Sequence, residues 1–374
     1  MTKKDLKTRR KFLQTAGLAA GGAALLAGCG QAEQGGTCVA GSRTQRNLTM
    51  VTTWPKHFPG LGTGAERFAK NVEALSDGAI TIKVYGAGEL VPALSSFDAV
   101  SEGKADMYHA AEYYWQGRSK AFNFFCAVPF GMTGTEVNAW INFDGGQALW
   151  DELSGNFNVK PFMCGNSGTQ MGGWFRKEIN SLADLKGLRI RMPGLGGEMF
   201  SRVGATPVTK PGGEIFLAMP QGNIDAAEWV GPWNDLAFGF HEVAKNYYTG
   251  VHEPGTVLGL GLNLDLWKEF SDWEKAIFEA ATETENSLMR AEMDANNSVA
   301  LKTLVEEHGV IVRSFPDEVI IELKRVALEV LEETGREDDI TGRVYKSFME
   351  SMARTSRWGE ISERTYTRAR DLGN

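Results

Sequence analysis

The sequence predicts an α/β fold of two lobes, each with a mainly parallel sheet flanked by helices. Segments that alternate like β-strands recur between segments with helical periodicity, and this series begins a second time after residue 180. Beyond residue 271 the pattern is helical. Strands that alternate with helices favour parallel sheets covered on both faces. We therefore predict two lobes, two hinge strands that join them, a long bracing helix and a helical C-terminal tail.

The first series lies between residues 48 and 110. Residues 48–54 and 80–85 alternate as strands, and residues 64–75 between them have the period of a helix. A second helix is predicted at residues 93–101 and a short strand at residues 107–110. This order predicts a strand, helix, strand unit at the start of lobe 1.

The second series begins at Ser181, which forms a capping-box pattern with Asp184 and precedes a predicted strand at 188–192. Two helices follow, at 197–203 and 215–219. In both series a helix ends at a glycine and a strand resumes after an aspartate, as seen at Gly103 with Asp106 and at Gly222 with Asp225. The repetition indicates two similar lobes, although shared helix-capping chemistry alone also produces such a pattern.

Two stretches of strand-like and small residues, 160–175 and 247–264, flank the second series. We interpret them as two crossings between the lobes that together form a hinge. We therefore assign residues 47–165 and 253–315 to lobe 1, and residues 166–252 to lobe 2.

A long helix is predicted to begin at Ser271, where Glu274 completes a capping box, and to reach about His308. At 1.5 Å per residue it is long enough to brace both lobes. Pro316 suits the start of another helix, so residues 316–374 form the predicted tail. The apolar face of the long helix is predicted from Trp273, Ile277, Phe278, Ala281 and Leu288.

The amino-terminus predicts export from the cytoplasm. Arg9 and Arg10 precede a short Gly/Ala-rich apolar stretch, so residues 1–28 are interpreted as a twin-arginine signal peptide. The stretch is too short and too weakly apolar for a membrane span. It ends at Cys29 in a lipobox-like sequence, which predicts acylation of Cys29 and a lipid anchor, with plain cleavage nearby as the alternative. Residues 29–46 are predicted to be a tether.

Charge and cysteine content exclude several classes of protein. The chain of 374 residues has a formal charge of −8, and because residues 1–28 carry a net +5, the remainder is at −13. With no basic run downstream, we expect no nucleic-acid partner. Cys38, Cys126 and Cys164 lack CxxC spacing, so neither a zinc site nor a disulfide framework is indicated. Two buried thiols at 126 and 164 are expected, with a single disulfide as the alternative.

The sequence contains no GxSxG, HExxH or GxxxxGK[ST] motif. Arg191 ends a predicted strand, where a parallel sheet usually meets its ligand, and a guanidinium can bind a carboxylate through two hydrogen bonds. Glu228 ends the matching strand and, if buried, needs a basic side chain or a metal ion. Gln170 lies on the first crossing among small residues. Each of the three is alternatively a structural residue.

Five stretches, in their order and spacing, resemble the extracytoplasmic solute-binding subunits of TRAP transporters over about residues 48–370. The similarity is greatest to the subgroup that handles α-keto acids and 2-hydroxy acids. It implies a periplasmic-binding-protein-like fold whose lobes close on a ligand, and a binding protein rather than an enzyme. The matching stretches are 54–69, 127–131, 168–176, 188–194 and 224–233.

The resemblance also implies a site. Arg191 matches the arginine that binds the ligand carboxylate, and Gln170 matches the glutamine that contacts both ligand and a bound cation. Glu228 and the carbonyl of Trp229 match the pair that coordinates that cation, Na⁺ or Ca²⁺. Glu253 is nominated as a further metal ligand, with His252 as the alternative. The pocket is expected to be lined by aromatic residues, namely Tyr113, Tyr114 and Trp54, which are alternatively packing residues.

The function implied by the resemblance is capture of a small 2-oxo or 2-hydroxy monocarboxylate, such as pyruvate or lactate, for a two-part membrane permease. A homodimer formed by exchange of a tail helix is a further expectation. The alternatives are another ligand, such as a sugar acid, polyol or aromatic acid, an exported metal-dependent hydrolase or lyase with Glu228 as general base, and a sensor domain.

Overall fold

The computed structural model describes residues 44–373. The predicted signal peptide, Cys29, Cys38 and most of the tether therefore lie outside the described residues. The strands are β1 (Arg46–Thr52), β2 (Ile80–Tyr85), β3 (Met107–Ala110), β4 (Val159–Gly168), β5 (Met171–Phe175), β6 (Arg189–Arg191), β7 (Thr206–Val208), β8 (Ala226–Ala227), β9 (Asn246–Thr249), β10 (Thr256–Asn263) and β11 (Ile311–Arg313).

Helices flank these strands and form the whole C-terminal part. The α-helices are α1 (Leu61–Leu75), α2 (Ser96–Ser101), α3 (Gly134–Phe143), α4 (Gly146–Gly155), α5 (Gly194–Arg202), α6 (Gly212–Ala218), α7 (Pro232–Phe238), α8 (Leu264–Glu269), α9 (Asp272–Glu306), α10 (Asp317–Thr334), α11 (Asp339–Ile361) and α12 (Glu363–Arg370). Short 3-10 helices occur at Ala93–Ser95, Glu112–Trp115, Lys120–Phe125, Leu182–Leu185 and Phe240–Glu242.

Lobe 1 contains the first sheet, whose strand order is β2-β1-β3-β10-β4. Strand β1 is parallel to β2 and β3, as the strand, helix, strand pattern predicts. Strand β10 is antiparallel to both β3 and β4. Its direction is reversed because the chain enters it from lobe 2, whereas β4 leads the chain towards lobe 2.

Lobe 2 contains the second sheet, in the order β11-β9-β5-β8-β6-β7. Strand β6 is parallel to β7 and β8, and β9 to β11, while β5 is antiparallel to β8 and β9. Five of the nine strand pairs among the described residues are thus parallel, in agreement with the predicted fold class. The sequence assigned residues 253–315 to lobe 1, but β11 within that range pairs with β9, because the long helix returns the chain to lobe 2.

The two crossings join the sheets side by side. The first lies between β4 and β5 at residues 169–170, and the second between β9 and β10 at residues 250–255. They are hydrogen-bonded to each other, since the Gln170 amide donates to the Glu253 carbonyl over 2.9 Å. At Gly250 an added Cβ would lie 2.1 Å from the Gln170 carbonyl oxygen, so only glycine fits this approach.

The long helix α9 contacts both lobes. Ser271 caps it in the predicted capping box with Glu274, and its 35 residues span about 52 Å. On the side of lobe 1, Arg67 of α1 donates to Glu285 over 2.7 Å. Towards lobe 2, the side chain of Asn297 accepts from the Trp233 amide over 3.0 Å.

The predicted apolar face of α9 is partly wrong. Ile277, Phe278 and Ala281 are buried, but Leu288 is 46% exposed and Trp273 is 36% exposed. The buried stripe instead continues through Glu285 and Met289, which lie on the same face as Ile277 and Phe278. A charged residue is tolerated at this buried position because Glu285 forms an ion pair with Arg67 of α1.

The tail packs against both lobes of its own chain. Helix α10 lies on α5 of lobe 2, and Arg202 of α5 forms an ion pair with Glu333. Helix α11 lies on α3 and α4 of lobe 1, where Ser351 donates to Asp144 over 2.7 Å. Whether the tail also mediates dimerisation stays a prediction.

Within residues 44–373, no helix combines the length and the apolar character that crossing a membrane requires. Cys126 and Cys164 are both buried and carry free thiols, as expected from their apolar surroundings.

A buried glutamic acid in lobe 1 makes the free energy of unfolding depend on pH. Glu112 is fully buried and accepts a hydrogen bond from the Tyr108 hydroxyl over 2.8 Å, and burial raises its pKa to about 8. In the unfolded chain a glutamate ionises near about pH 4.3. The folded state therefore favours the neutral acid, and this contribution to stability is present at low pH and lost as the pH rises to about 8.

We expect Glu112→Gln, which fixes the neutral form, to become more stable relative to the wild type as the pH rises from about 5 to about 8. Urea denaturation of both proteins at several pH values measures the difference in free energy of unfolding. A difference that does not change with pH would contradict the assignment.

Candidate ligand and cation site

Arg191 and Glu228 form a buried ion pair at the ends of neighbouring strands. Arg191 ends β6 and is in register with Ala227 of β8, so that Glu228 is the next residue beyond the strand. The Arg191 Nη1 group donates to Oε2 of Glu228 over 2.8 Å and to its backbone carbonyl over 2.8 Å. Both side chains are 0% exposed. The parallel register thus explains why two polar residues 37 positions apart meet.

Other groups satisfy most of the remaining donors of Arg191. Its Nε donates to the Lys210 carbonyl over 3.1 Å, and its Nη2 donates to the Tyr114 hydroxyl of lobe 1 over 3.1 Å. The guanidinium also lies 5.1 Å from the ring centroid of Trp229. Of the five N–H donors of the guanidinium, two bind Glu228, one binds the Lys210 carbonyl and one binds Tyr114. One N–H on Nη2 therefore has no acceptor.

Three acidic or imidazole side chains converge beside this ion pair. Glu228, His252 and Glu253 each offer one ligand atom, and these atoms lie within 4.8 Å of one another. The Nε2 atom of His252 is 3.5 Å from Oε1 of Glu228 and 3.9 Å from Oε1 of Glu253. The second Glu253 oxygen accepts from the Thr256 hydroxyl over 2.8 Å. The second crossing therefore delivers both of the residues that the sequence left as alternatives.

Gln170 reaches the same region from the first crossing. Its Nε2 donates to the Ser167 hydroxyl over 2.8 Å, which leaves Oε1 as the free end of the amide. Among the described residues, Oε1 of Gln170 and Oε1 of Glu228 are both buried without a hydrogen-bond partner. Buried oxygens without a donor are costly, and a cation would satisfy them. The residues present therefore fit an oxygen-coordinated hard cation such as Na⁺ or Ca²⁺.

Burial controls the ionisation of this cluster. It raises the pKa of Glu228 to about 8, although Arg191 acts in the opposite direction. It raises the pKa of Glu253 to about 8 as well, and the nearby Glu228 contributes to this increase. Burial lowers the pKa of His252, although Glu253 acts in the opposite direction, and this disfavours the charged imidazolium. Ionisation of both Glu228 and Glu253 is therefore unfavourable unless a positive charge is bound beside them.

The predicted aromatic residues differ in how closely they approach the site. Tyr114 bonds to Arg191 directly, and Tyr113 packs against it edge to face at 4.9 Å between ring centroids. Trp54 is buried in the same apolar cluster as Tyr113 and Trp229, and it packs edge to face on His109. A role for Trp54 as a cover of the ligand stays a prediction.

Sequence reasoning missed a contact that joins the two lobes across the cleft. The amide of Leu195, at the start of α5, donates to the Asn123 side chain of lobe 1 over 3.2 Å. Helix α5 has no side-chain cap from its own N-cap residue, Pro193. Gly194 has a φ of +63°, and an added Cβ would lie 2.8 Å from Oδ1 of Asn123. An asparagine within an apolar run carries no signal of a partner 72 residues away.

Two lobes that meet around a buried polar cluster, joined by two crossings and braced by a long helix, define a solute-binding protein of the two-lobed type. The chain belongs to the bacterial extracellular solute-binding protein family 7, whose profile matches residues 50–338. It is 38% identical to the monocarboxylate 2-oxoacid-binding periplasmic protein of Nostoc sp. (strain PCC 7120), over 96% of this chain and 97% of that one.

Solved structures share the fold over most of both chains. A TRAP periplasmic solute-binding protein from Pseudoalteromonas atlantica T6c with bound sodium and pyruvate is 37% identical, with a TM-score of 0.85 over 87% of this chain and 99% of that one. One from Colwellia psychrerythraea with bound calcium and pyruvate is 36% identical, with a TM-score of 0.85 over 87% and 100%. One from Bordetella bronchiseptica RB50, a mixed-occupancy dimer with calcium and picolinate, is 34% identical, with a TM-score of 0.85 over 87% and 97%.

The ion pair gives a prediction about stability. Arg191→Met removes the partner of a buried carboxylate and is expected to cost about 3–5 kcal/mol in free energy of unfolding. Arg189→Met is the matched control on the same strand, because Arg189 is 46% exposed and its pair with Asp225 is at the surface. We expect it to cost about 1 kcal/mol or less.

Urea denaturation of these variants, of Glu228→Gln and of the Arg191→Met, Glu228→Gln double variant measures the coupling between the two residues. The double variant should lose less free energy of unfolding than the sum of the losses in Arg191→Met and Glu228→Gln. Additive losses would show that Arg191 and Glu228 do not depend on each other.

Proposed function

We propose that the protein captures a small 2-oxo or 2-hydroxy monocarboxylate, such as pyruvate or lactate, together with Na⁺ or Ca²⁺. The observation that carries the proposal is two buried, unpartnered oxygens: Oε1 of Gln170, on the first crossing, and Oε1 of Glu228, whose other oxygen accepts from Arg191. A ligand with a carboxylate and an adjacent oxygen can bind such a cation through both groups. The names of the relatives that bind 2-oxoacids or pyruvate with a cation support this choice.

Within this proposal each residue has a defined task. The leftover N–H of Arg191 binds the ligand carboxylate, while Gln170, Glu228, the Trp229 carbonyl and Glu253 hold the cation. Tyr114 orients the guanidinium from the opposite lobe, and Tyr113 and Trp54 enclose the ligand. No step makes or breaks a covalent bond, so we infer a binding protein without catalytic activity.

We further propose that the protein hands its ligand to the small and large membrane subunits of a TRAP permease. Closure about the two crossings would present a surface that the open form lacks. A homodimer is also proposed, supported by the dimeric relative and by exposed apolar side chains near the end of the tail, namely Trp358, Ile361, Tyr366 and Leu372. Sedimentation velocity should then give the mass of two chains.

For the amino-terminus we propose export by the twin-arginine route, cleavage before Cys29, acylation of Cys29 and tethering at the extracytoplasmic face of the membrane. The support is the pattern of residues 1–29 together with a family of extracellular binding proteins. We expect Cys29→Ala to move the protein from the membrane fraction to the soluble extracytoplasmic fraction. If the wild type and Cys29→Ala divide between the two fractions in the same proportion, the lipid anchor is refuted.

The ligand is tested by a thermal-shift screen of the mature chain, freed of metal by a chelator. We expect pyruvate or lactate with Na⁺ or Ca²⁺ to stabilise it, by about 2.7 kcal/mol at 100 times the dissociation constant. Sugar acids, polyols and aromatic acids serve as competitors.

Glu228→Gln should lose most of this response because the cation is lost, while Arg189→Met should keep it. If no 2-oxo or 2-hydroxy acid shifts the melting temperature with either cation, the proposed ligand is wrong. Recovery of the ligand chemically unchanged after incubation excludes a hydrolase or lyase.

A further inference from the structure

We propose that Asp235 is a positioning residue that directs the Trp229 carbonyl towards the bound cation. The inference rests on the proposed function, in which that carbonyl is one of the cation ligands. It adds a residue outside the ligand cluster on which the geometry of the cluster depends. Asp235 lies on α7 and is 0% exposed, so its carboxyl group acts only through the protein groups that it contacts.

The carboxyl group of Asp235 accepts three hydrogen bonds, each from a different segment of lobe 2. Its Oδ1 accepts from the Val230 amide over 3.2 Å. Its Oδ2 accepts from Nε1 of Trp174 over 2.9 Å and from the Tyr247 hydroxyl over 2.7 Å. All three partners are donors, which suits an acidic side chain, because an asparagine has only one acceptor oxygen. Both oxygens of Asp235 are occupied in this way, so we do not count it among the cation ligands.

The bond to the Val230 amide fixes the direction of the Trp229 carbonyl. The Val230 N–H and the Trp229 C=O belong to one peptide group, which is planar and trans, so the two point in opposite directions. Because the N–H points to Asp235, the carbonyl faces the other side. Val230 is also held through its own carbonyl, which accepts from the Met171 amide over 2.9 Å. With both ends of Val230 bonded, the peptide group that carries the proposed ligand cannot rotate freely.

Trp174 and Tyr247 connect Asp235 to the two crossings. They are paired residues on the neighbouring strands β5 and β9, and their rings stack with centroids 4.1 Å apart. Strand β5 begins directly after Gln170 on the first crossing, and β9 leads into the second crossing, which carries Glu253. The same carboxyl group therefore contacts the chain beside each segment that supplies a proposed cation ligand.

The opposing explanation is a purely structural role, because a buried group with three hydrogen bonds also stabilises lobe 2. Two adjacent tyrosines of β9 separate the two roles. Tyr247 and Tyr248 are 0% and 1% exposed, and their side chains lie on opposite faces of the sheet. The Tyr248 hydroxyl accepts from the Ile179 amide over 2.7 Å. Replacement of either tyrosine by phenylalanine removes buried hydrogen bonding, but only Tyr247→Phe takes a donor from Asp235.

The test compares the wild type with Asp235→Asn, Tyr247→Phe and Tyr248→Phe, each as the mature chain freed of metal by a chelator. Each protein is titrated with Ca²⁺ and with Na⁺ in the presence of pyruvate, followed by tryptophan fluorescence, and is separately unfolded with urea. We expect the cation affinity of Asp235→Asn to fall about 10–100-fold, as is typical when a residue that orients a metal ligand is replaced. Tyr247→Phe keeps two of the three bonds and should lose less, while Tyr248→Phe should bind as the wild type does.

Amide hydrogen exchange of the metal-free proteins gives a second readout that needs no ligand. The Val230 amide should exchange faster in Asp235→Asn and in Tyr247→Phe than in the wild type, because its acceptor is lost or less firmly held. In Tyr248→Phe this amide should exchange at the wild-type rate, even where urea denaturation shows a similar loss of stability. If Asp235→Asn fails to fold, the two tyrosine variants decide.

The outcomes separate this inference from the proposed function. Unchanged cation affinity in Asp235→Asn and Tyr247→Phe, or an equal loss in Tyr247→Phe and Tyr248→Phe, would overturn the positioning role of Asp235. If the wild type binds neither cation with pyruvate, the proposed function fails. The exchange rate of the Val230 amide then still decides whether Asp235 holds the peptide group of Trp229.

Discussion

The buried ion pair between Arg191 and Glu228 is the interaction on which the rest of the site depends. A guanidinium and a carboxylate that are both removed from water destabilise a protein unless every remaining donor and acceptor is satisfied. The fold supplies the Lys210 carbonyl from lobe 2, the Tyr114 hydroxyl from lobe 1 and the Trp229 ring. One oxygen of Glu228 is still without a donor, and this deficit is the basis on which we propose a cation site in the cluster.

The hinge and the proposed cation site share residues. Gln170 belongs to the first crossing and Glu253 to the second, and their backbones are hydrogen-bonded. Opening of the lobes can therefore leave Gln170 and Glu253 close together. The bond from Arg191 to Tyr114, in contrast, spans the cleft and must break when the lobes separate. A cation held at the crossings and a carboxylate held across the cleft would then respond differently to opening.

Local patterns predicted much of this arrangement. Strand periodicity and capping signals located β2, β3 and the start of α9, because those features depend on neighbouring residues in the chain. Features that depend on distant partners were not predictable in this way. The pairing of β11 with β9 and the burial of Glu285 against Arg67 follow from where the chain returns in space.

The same distinction applies to the site. Arg191 and Glu228 were found because each ends a strand, and parallel strands end at one edge of the sheet. The roles of Gln170 and Glu253 came from the family resemblance, since nothing in their local sequence indicates a ligand. The structure brings Glu253 and His252 to the same cluster, so both of the alternative metal ligands lie beside Glu228.

The bond between Asn123 and the first turn of α5 separates the strength of binding from its selectivity. In a protein that must close on its ligand, the observed affinity is the intrinsic affinity of the closed form multiplied by the fraction of molecules in that form. Asn123 caps a helix of the opposite lobe, so it contributes to the closed fraction while the pocket residues determine which ligand is accepted. Substitutions at such a position would let a lineage of these receptors adapt to scarce or abundant nutrient without altering the nutrient they recognise.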